Sequence, residues 1–186
     1  APLILGAGPA GCAAAITLAR AGVRPVLLDC TAEAGDALCG GFLSWRTAQQ
    51  LAALGVEPAD LGAHRVTRLA LYAGERTATV PLPAPAFGLS RRAMDNALRQ
   101  AALAAGARLA VDTIRKLEGT AAIGRREWRG ESLFLATGKH DLRGHSRPRR
   151  AGDPAVGLRL RLPADGALAA LVAGTIELHL FAGGYA

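Results

Sequence analysis

The chain has 186 residues, is 51% hydrophobic and 20% charged, and carries 23 glycines and a net charge of +7. That length can bury a core in one or two domains, and the composition excludes a disordered or fibrous chain. The basic residues are mostly arginines, scattered without aromatic interleaving or a helix-turn-helix pattern, which argues against a nucleic-acid partner.

Residues 2–5 (PLIL) are a short apolar run that stops at Gly6 and reads as a strand. From Pro9 to Ala21 apolar residues recur at helical spacing, and Gly22 supplies a stop. Residues 25–29 (PVLLD) then read as a second buried strand ending in an acid, completing a βαβ unit with parallel strands. A loop of small residues from Thr31 to Ser44 leads to a short helix at 46–54. Segments 65–73 and 76–82 alternate like a strand pair around Ala73-Gly74-Glu75, and Pro81, Pro83 and Pro85 are expected to break the ladder into a connector.

Residues 91–105 predict an amphipathic helix with Met94, Leu98, Ala101, Ala102 and Ala105 on one face, capped by Ser90 and stopped by Gly106. Residues 108–111 read as a third parallel strand, and 113–118, 121–129 and 132–137 as short antiparallel strands. A Gly/Pro/Arg loop spans 143–154, where Arg143, Arg147, Arg149 and Arg150 form the densest basic cluster and read as a solvated loop. Strands are expected at 156–162, 168–172 and 175–181.

Cys12, Cys30 and Cys39 show neither CxxC nor metal-ligand spacing, so no metal site is expected. Their odd number and the lack of a signal peptide fit a reducing cytoplasm. No apolar run reaches the ~18 residues of a membrane span. His64, His140, His145 and His179 have no ligand spacing and receive no chemistry, and no GxSxG elbow supports hydrolysis.

The chemistry concentrates in Gly6-Ala7-Gly8-Pro9-Ala10-Gly11, a GxGxxG between a strand and a helix. Gly6 suits the tight turn, Gly8 lets a pyrophosphate approach the backbone, and Gly11 lets helix and strand close up. The helix start then offers amides and a positive dipole end to phosphates. Asp29 lies 18 residues beyond Gly11, close to the ~20 expected of a carboxylate that meets a ribose diol and repels a 2′-phosphate. NAD or FAD is the expected ligand, and a plain glycine turn without one is the alternative.

Read as a whole, GAGPAGCAAAITLARAGVRPVLLD, LCGGFLS at 38–44, LSRRAMDNALRQAALAAGARL at 89–109, LFLATGKHDLRG at 133–144 and IELHLFAGGYA at 176–186 choose between them. In family order these segments resemble FAD-dependent oxidoreductases of the p-hydroxybenzoate hydroxylase superfamily, above all geranylgeranyl-reductase-like members. The resemblance implies an α/β fold: a Rossmann-like FAD-binding βαβ domain (1–64 and 89–150) with an inserted antiparallel β-sheet substrate region (65–88 and 151–186). It implies that Gly6, Ala7, Gly8, Pro9, Ala10 and Gly11 meet the FAD pyrophosphate and Asp29 the adenosine ribose. It further implies that Arg91 contacts the cofactor, that Val111 and Asp112 border the adenine, and that Ala136, Thr137 and Gly138 pass the flavin phosphates.

Thr137 stands where the superfamily often has an acid, which puts in doubt any NAD(P)H contact made there. Cys39, in Cys39-Gly40-Gly41, matches a loop beside the flavin ring and is the candidate catalytic residue, with a space-filling thiol the alternative; Ser44 has lower weight. The flavin is expected to be reduced by transiently bound NAD(P)H or another donor, and then to reduce an unsaturated, apolar small molecule between domain and sheet or to activate oxygen for hydroxylation. Relatives continue with a second Gly-Asp motif and this chain starts without Met, so it reads as part of a longer protein or a truncation. Competing readings are an NAD-dependent dehydrogenase and a non-catalytic nucleotide-binding module.

Overall fold

A computed structural model describes residues 1–146, 148, 156–162 and 165–186. The elements begin with β1 (Leu3–Leu5), α1 (Pro9–Arg20), β2 (Val26–Asp29), β3 (Phe42–Leu43), α2 (Trp45–Ala53), a 3-10 turn (Pro58–Leu61), β4 (His64–Ala73) and β5 (Arg76–Gly88). Next come α3 (Arg91–Ala105), β6 (Arg108–Val111), β7 (Lys116–Glu118), β8 (Ala121–Ile123), β9 (Glu127–Arg129) and β10 (Leu133–Leu135). The order is completed by α4 (Gly166–Val172), β11 (Thr175–Phe181) and β12 (Gly184–Tyr185). Arg147, Arg149 and Arg150 of the basic loop, and 151–155 after them, lie outside the described residues. Two compact units result: Ala1–Ala37, Ala53–Val56 and Arg91–Val156, and Leu38–Ala52, Glu57–Ser90 and Gly157–Ala186.

In the first unit β10, β1, β2 and β6 form a parallel sheet in that order. Strand alternation sends Leu3, Leu5, Val26 and Leu28 to one face, where Ala122, Trp128 and Leu142 complete a buried cluster. Ile4 faces α1: its Cγ2 lies 3.3 Å from where a Cβ on Gly11 would sit. α1 buries Gly11, Cys12, Ala15, Ile16 and Ala19, a narrow stripe of mostly small side chains that lets the helix sit close to the sheet. Each large aliphatic chain buried here contributes about 1.5–3 kcal/mol. Two expectations need correction. β10 is parallel to β1 and extends the main sheet, and 121–129 divides into β8 and β9. The division falls at Gly124, where a Cβ would lie 2.4 Å from Oδ1 of Asp112.

Asp112, 5% exposed, is the polar centre of that turn. Its Oδ1 accepts from the Arg125 amide at 2.9 Å and its Oδ2 from Nε1 of Trp128 at 2.8 Å. The Arg125 amide first, then the indole N–H, hold the carboxyl below the usual carboxylate range.

In the second unit the sheet order is β12-β11-β4-β5-β3, with β11 parallel to β4 and the other pairs antiparallel. The prolines do not end the strand as expected. β5 runs through them to Gly88, and the register jumps from Arg68↔Pro81 to Val66↔Ala86, so 82–85 bulge past Thr67. Proline has no N–H to give a ladder, and the bulge accommodates this.

Residues 156–162 form no strand: they alternate as expected, yet Val156 is 85% and Leu158 93% exposed and none of the sheets takes them. Residues 168–172 are helical in α4, because Asp165 caps it, its Oδ1 accepting from the Leu168 amide at 2.8 Å.

Candidate functional site

The glycine turn is built by exclusion. Gly6 has φ +102°, and a Cβ there would lie 2.3 Å from the Ala136 carbonyl oxygen; at Gly11 a Cβ would lie 1.9 Å from the Gly6 oxygen. At Gly8 nothing lies within 4 Å of the Cβ position, so this residue is open. Gly8 is also the N-cap of α1, and among the described residues no side chain caps the helix.

The turn is tied to the end of β2. The Ala7 amide donates to Oδ2 of Asp29 at 2.7 Å. Oδ1 is held more loosely, by the Thr31 amide at 3.2 Å and the Cys30 thiol at 3.6 Å. The Thr31 hydroxyl lies 3.4 Å from Oδ1 but has one proton, and its 2.7 Å contact with the Glu33 oxygen takes it. Oδ1 therefore keeps accepting capacity.

A cleft of about 600 Å³ opens over these groups, lined among others by Gly8, Asp29, Arg91, Arg99, Thr137 and His140. A second cavity of about 300 Å³ shares Asp29, Cys30 and Thr137 and has Ile114, Leu28 and Leu142 as apolar walls.

α3 sets the cationic side. Arg91 forks onto the buried Asp95, Nε to Oδ1 at 2.9 Å and Nη2 to Oδ2 at 2.8 Å. One further residue on the same helix, Arg99, escaped sequence reasoning. It is 5% exposed. Nε donates to the Ala7 oxygen at 3.0 Å, and Nη1 donates to the Thr31 and Ala32 oxygens at 2.8 and 2.9 Å. Nη2 lies 3.3 Å from Oδ2 of Asp29. The available signal was a charge beside the apolar Leu98, at i+8 from Arg91 and i+4 from Asp95.

Of the residues singled out from sequence, Gly6, Gly8, Pro9, Ala10, Asp29, Arg91, Ala136, Thr137 and Gly138 line the cleft. Ala7 is buried beneath it, and Gly11 is buried against the turn. Val111 is 51% exposed and lines neither cavity, whereas Asp112 reaches the second. Cys39 belongs to the other unit, where its sulfur accepts from the Gly41 amide at 3.5 Å. Ser44 starts α2: its Oγ accepts from the Thr47 amide at 3.2 Å, a capping role. Cys12, below the turn, donates its thiol to the Ala7 oxygen at 3.4 Å, and burial pushes it up to about 12.

Residues 1–122 match the family of FAD binding domains. The chain belongs to that family, and its cofactor is FAD. It is similar to menaquinone reductase of Mycobacterium tuberculosis (strain H37Rv), 36% identical over 112 residues, which are 58% of this chain and 28% of the relative. The chain thus spans less than a third of the curated relatives it matches. Among solved structures, the myxobacterial chondrochloren halogenase CndH superposes with a TM-score of 0.75 at 17% identity, covering 99% of this chain and 48% of that one. The peptidyl tryptophan dihydroxylase QhpG gives 0.66 at 21%, covering 99% and 41%. The p-nitrophenol 4-monooxygenase PnpA of Pseudomonas putida DLL-E4 gives 0.61 at 16%, covering 74% and 40%. At such identities the likeness is one of fold.

The residues present suit the ADP half of FAD. Gly8 leaves room above a backbone of amides, Oδ1 of Asp29 can accept from a diol, and the apolar-walled second cavity beside Asp29 is of a size for a flat base.

Proposed function

We propose that this protein is a FAD-dependent oxidoreductase of the reductase type, acting on an unsaturated, apolar small molecule. The observation that carries the cofactor part is the open space above Gly8, bounded by the uncapped start of α1 and by Asp29. In this reading Gly6, Gly8, Pro9 and Ala10 present backbone to the pyrophosphate, Ala7 lies beneath them with its amide spent on Asp29, and Gly11 brings the helix close enough for its amides to take part. Asp29 accepts from the adenosine ribose, and the cavity walled by Ile114, Leu28 and Leu142 takes the adenine. Arg91 gives the phosphates a cationic neighbour, and Ala136-Thr137-Gly138 brings unobstructed backbone alongside them. When bound, FAD supplies the two-electron chemistry, and the protein supplies binding and orientation.

The substrate class draws on the similarity to a protein named menaquinone reductase, a more specific kinship than the shared fold of the halogenase and monooxygenase structures. The five-stranded sheet of the second unit is the proposed substrate-side element, with Cys39 near the reacting centre and NAD(P)H as the transient electron donor. No helix among the described residues is long and apolar enough to cross a membrane.

The first test is the visible spectrum of the purified protein after gel filtration, where retained flavin bands are expected. Anaerobic reduction by NADPH or NADH, followed by reoxidation with a menaquinone, then tests the reductase assignment. A protein that neither retains nor takes up FAD would end the proposal. Oxygen uptake with a hydroxylated product, and no quinone reduction, would move it to the monooxygenase branch.

A further inference from the structure

We propose that Arg99 is a positioning residue that holds the plane of the Asp29 carboxylate toward the nucleotide sugar, and thereby sets selectivity for a ribose carrying its 2′-hydroxyl. The proposal rests on the reading that the ADP half of FAD sits over Gly8 and Asp29.

A buried guanidinium is costly unless its donors are used, and here they are spent on protein acceptors: the carbonyls of Ala7, Thr31 and Ala32 and Oδ2 of Asp29. Three of its five N–H groups are thus hydrogen-bonded to carbonyls and Nη2 is drawn to the Asp29 carboxylate, although Arg99 also lines the cleft. It ties together three segments: the glycine turn through Ala7, the end of β2 through Asp29, and the following loop through Thr31 and Ala32. The Ala7 amide and Nη2 of Arg99 converge on the same oxygen, Oδ2. The second oxygen, Oδ1, is left with a 3.2 Å amide contact and a 3.6 Å thiol contact.

One carboxylate oxygen held by the Ala7 amide and drawn to Nη2 of Arg99 fixes the plane of the group, so the other oxygen is held toward the cleft. Without Arg99 the Ala7 amide and the longer Thr31 contact alone hold the carboxylate, and its plane can tilt away from the sugar. Arginine is required by geometry: three carbonyls and a carboxylate oxygen surround one planar fork, which an ammonium cannot match.

The test uses the chain freed of flavin, titrated with ADP and with 2′-deoxy-ADP, and reads the ratio of the two dissociation constants. A charge-assisted hydrogen bond to the 2′-hydroxyl gives the wild type a preference for ADP of about tenfold or more. Asp29→Asn, with Arg99 in place, is the benchmark for its loss. Arg99→Gln is expected to bring the ratio close to one while the far-UV circular dichroism stays native. A folded Arg99→Gln that keeps the wild-type ratio overturns the proposal. Should Arg99→Gln fail to fold, Arg99→Lys is read in its place: it must show a reduced ratio, and an unreduced one overturns the proposal equally. A wild-type chain that binds both nucleotides alike, or neither, brings down the cofactor-site reading and the role of Arg99 with it. Discrimination that survives in the variants brings down Arg99 alone.

Discussion

The backbone amide of Ala7 and the carboxylate of Asp29, 22 residues apart in sequence, are joined by a 2.7 Å hydrogen bond. The bond ties the glycine turn to the acid at the end of β2. It follows that damage at either end can be told apart from damage to the open surface between them.

Gly8→Val tests that surface. Its φ of −82° is open to any residue and no atom lies within 4 Å of the new Cβ, so the fold persists. The cost is about 1 kcal/mol, from replacing glycine at an N-cap. FAD binding is expected to vanish, because the side chain fills the open space proposed for the pyrophosphate. Gly11→Val, whose Cβ would meet the Gly6 oxygen, is expected to lose roughly 3 kcal/mol or more. Thermal unfolding without flavin, paired with quenching of FAD fluorescence, separates the two; equal destabilisation would contradict the geometry.

Asp112 contributes a pH dependence of known sign. Its folded-state pKa is depressed below 3.8 by the Arg125 amide and the Trp128 indole. The stabilisation is therefore full above that ordinary value and is lost as pH falls through the folded value. Asp112→Asn, which turns an amide donor toward existing donors, is expected to cost about 2 kcal/mol at neutral pH. The gap from wild type should narrow near pH 3, as seen in urea unfolding at the two pH values.

Cys12 should be silent. Burial pushes its thiol from 9.0 up to about 12, so little of the reactive thiolate exists at neutral pH. Titration with a disulfide reagent is expected to label the exposed Cys30 quickly and Cys12 only on unfolding. Because the folded value is raised, the stabilisation is complete below pH 9.0 and declines as pH climbs toward about 12. Rapid labelling of Cys12 in the native protein would contradict its burial.

Arg91 and Asp95 can be separated by a double-mutant cycle. Arg91→Met leaves the buried Asp95 carboxylate without its fork and is expected to cost about 2 kcal/mol, discounted for the partial exposure of the arginine. Asp95→Leu in the same chain should restore most of that stability. Flavin affinity should stay weakened in the double variant, because the cation proposed to neighbour the phosphates is gone. Recovery of both would reduce Arg91 to a structural role.

The sequence made some of this legible and hid the rest for physical reasons. Strand, glycine turn, helix and acid are local patterns, and β1, α1, β2 and α3 fall where their periodicities put them. The run at 168–172 is too short for apolar content alone to separate strand from helix, and the cap at Asp165 decides it. β10 lies beside β1 because of pairing between residues more than a hundred positions apart, which no local pattern encodes. Little in the local pattern of α3 marks Arg99; only the folded chain brings the carbonyls of residues 7, 31 and 32 around it.

The bulge in β5 bears on how the protein behaves in a crowded solution. Residues 82–85 have no partners on β4, which would ordinarily leave a sticky template for strands of neighbouring molecules. Pro81, Pro83 and Pro85 remove amide hydrogens along that stretch, so an incoming strand finds acceptors without the donors needed for cross-molecular zippering. Replacing all three by threonine would restore those amide hydrogens and, by the same stroke, turn a self-limiting margin into a seed for fibrous aggregates.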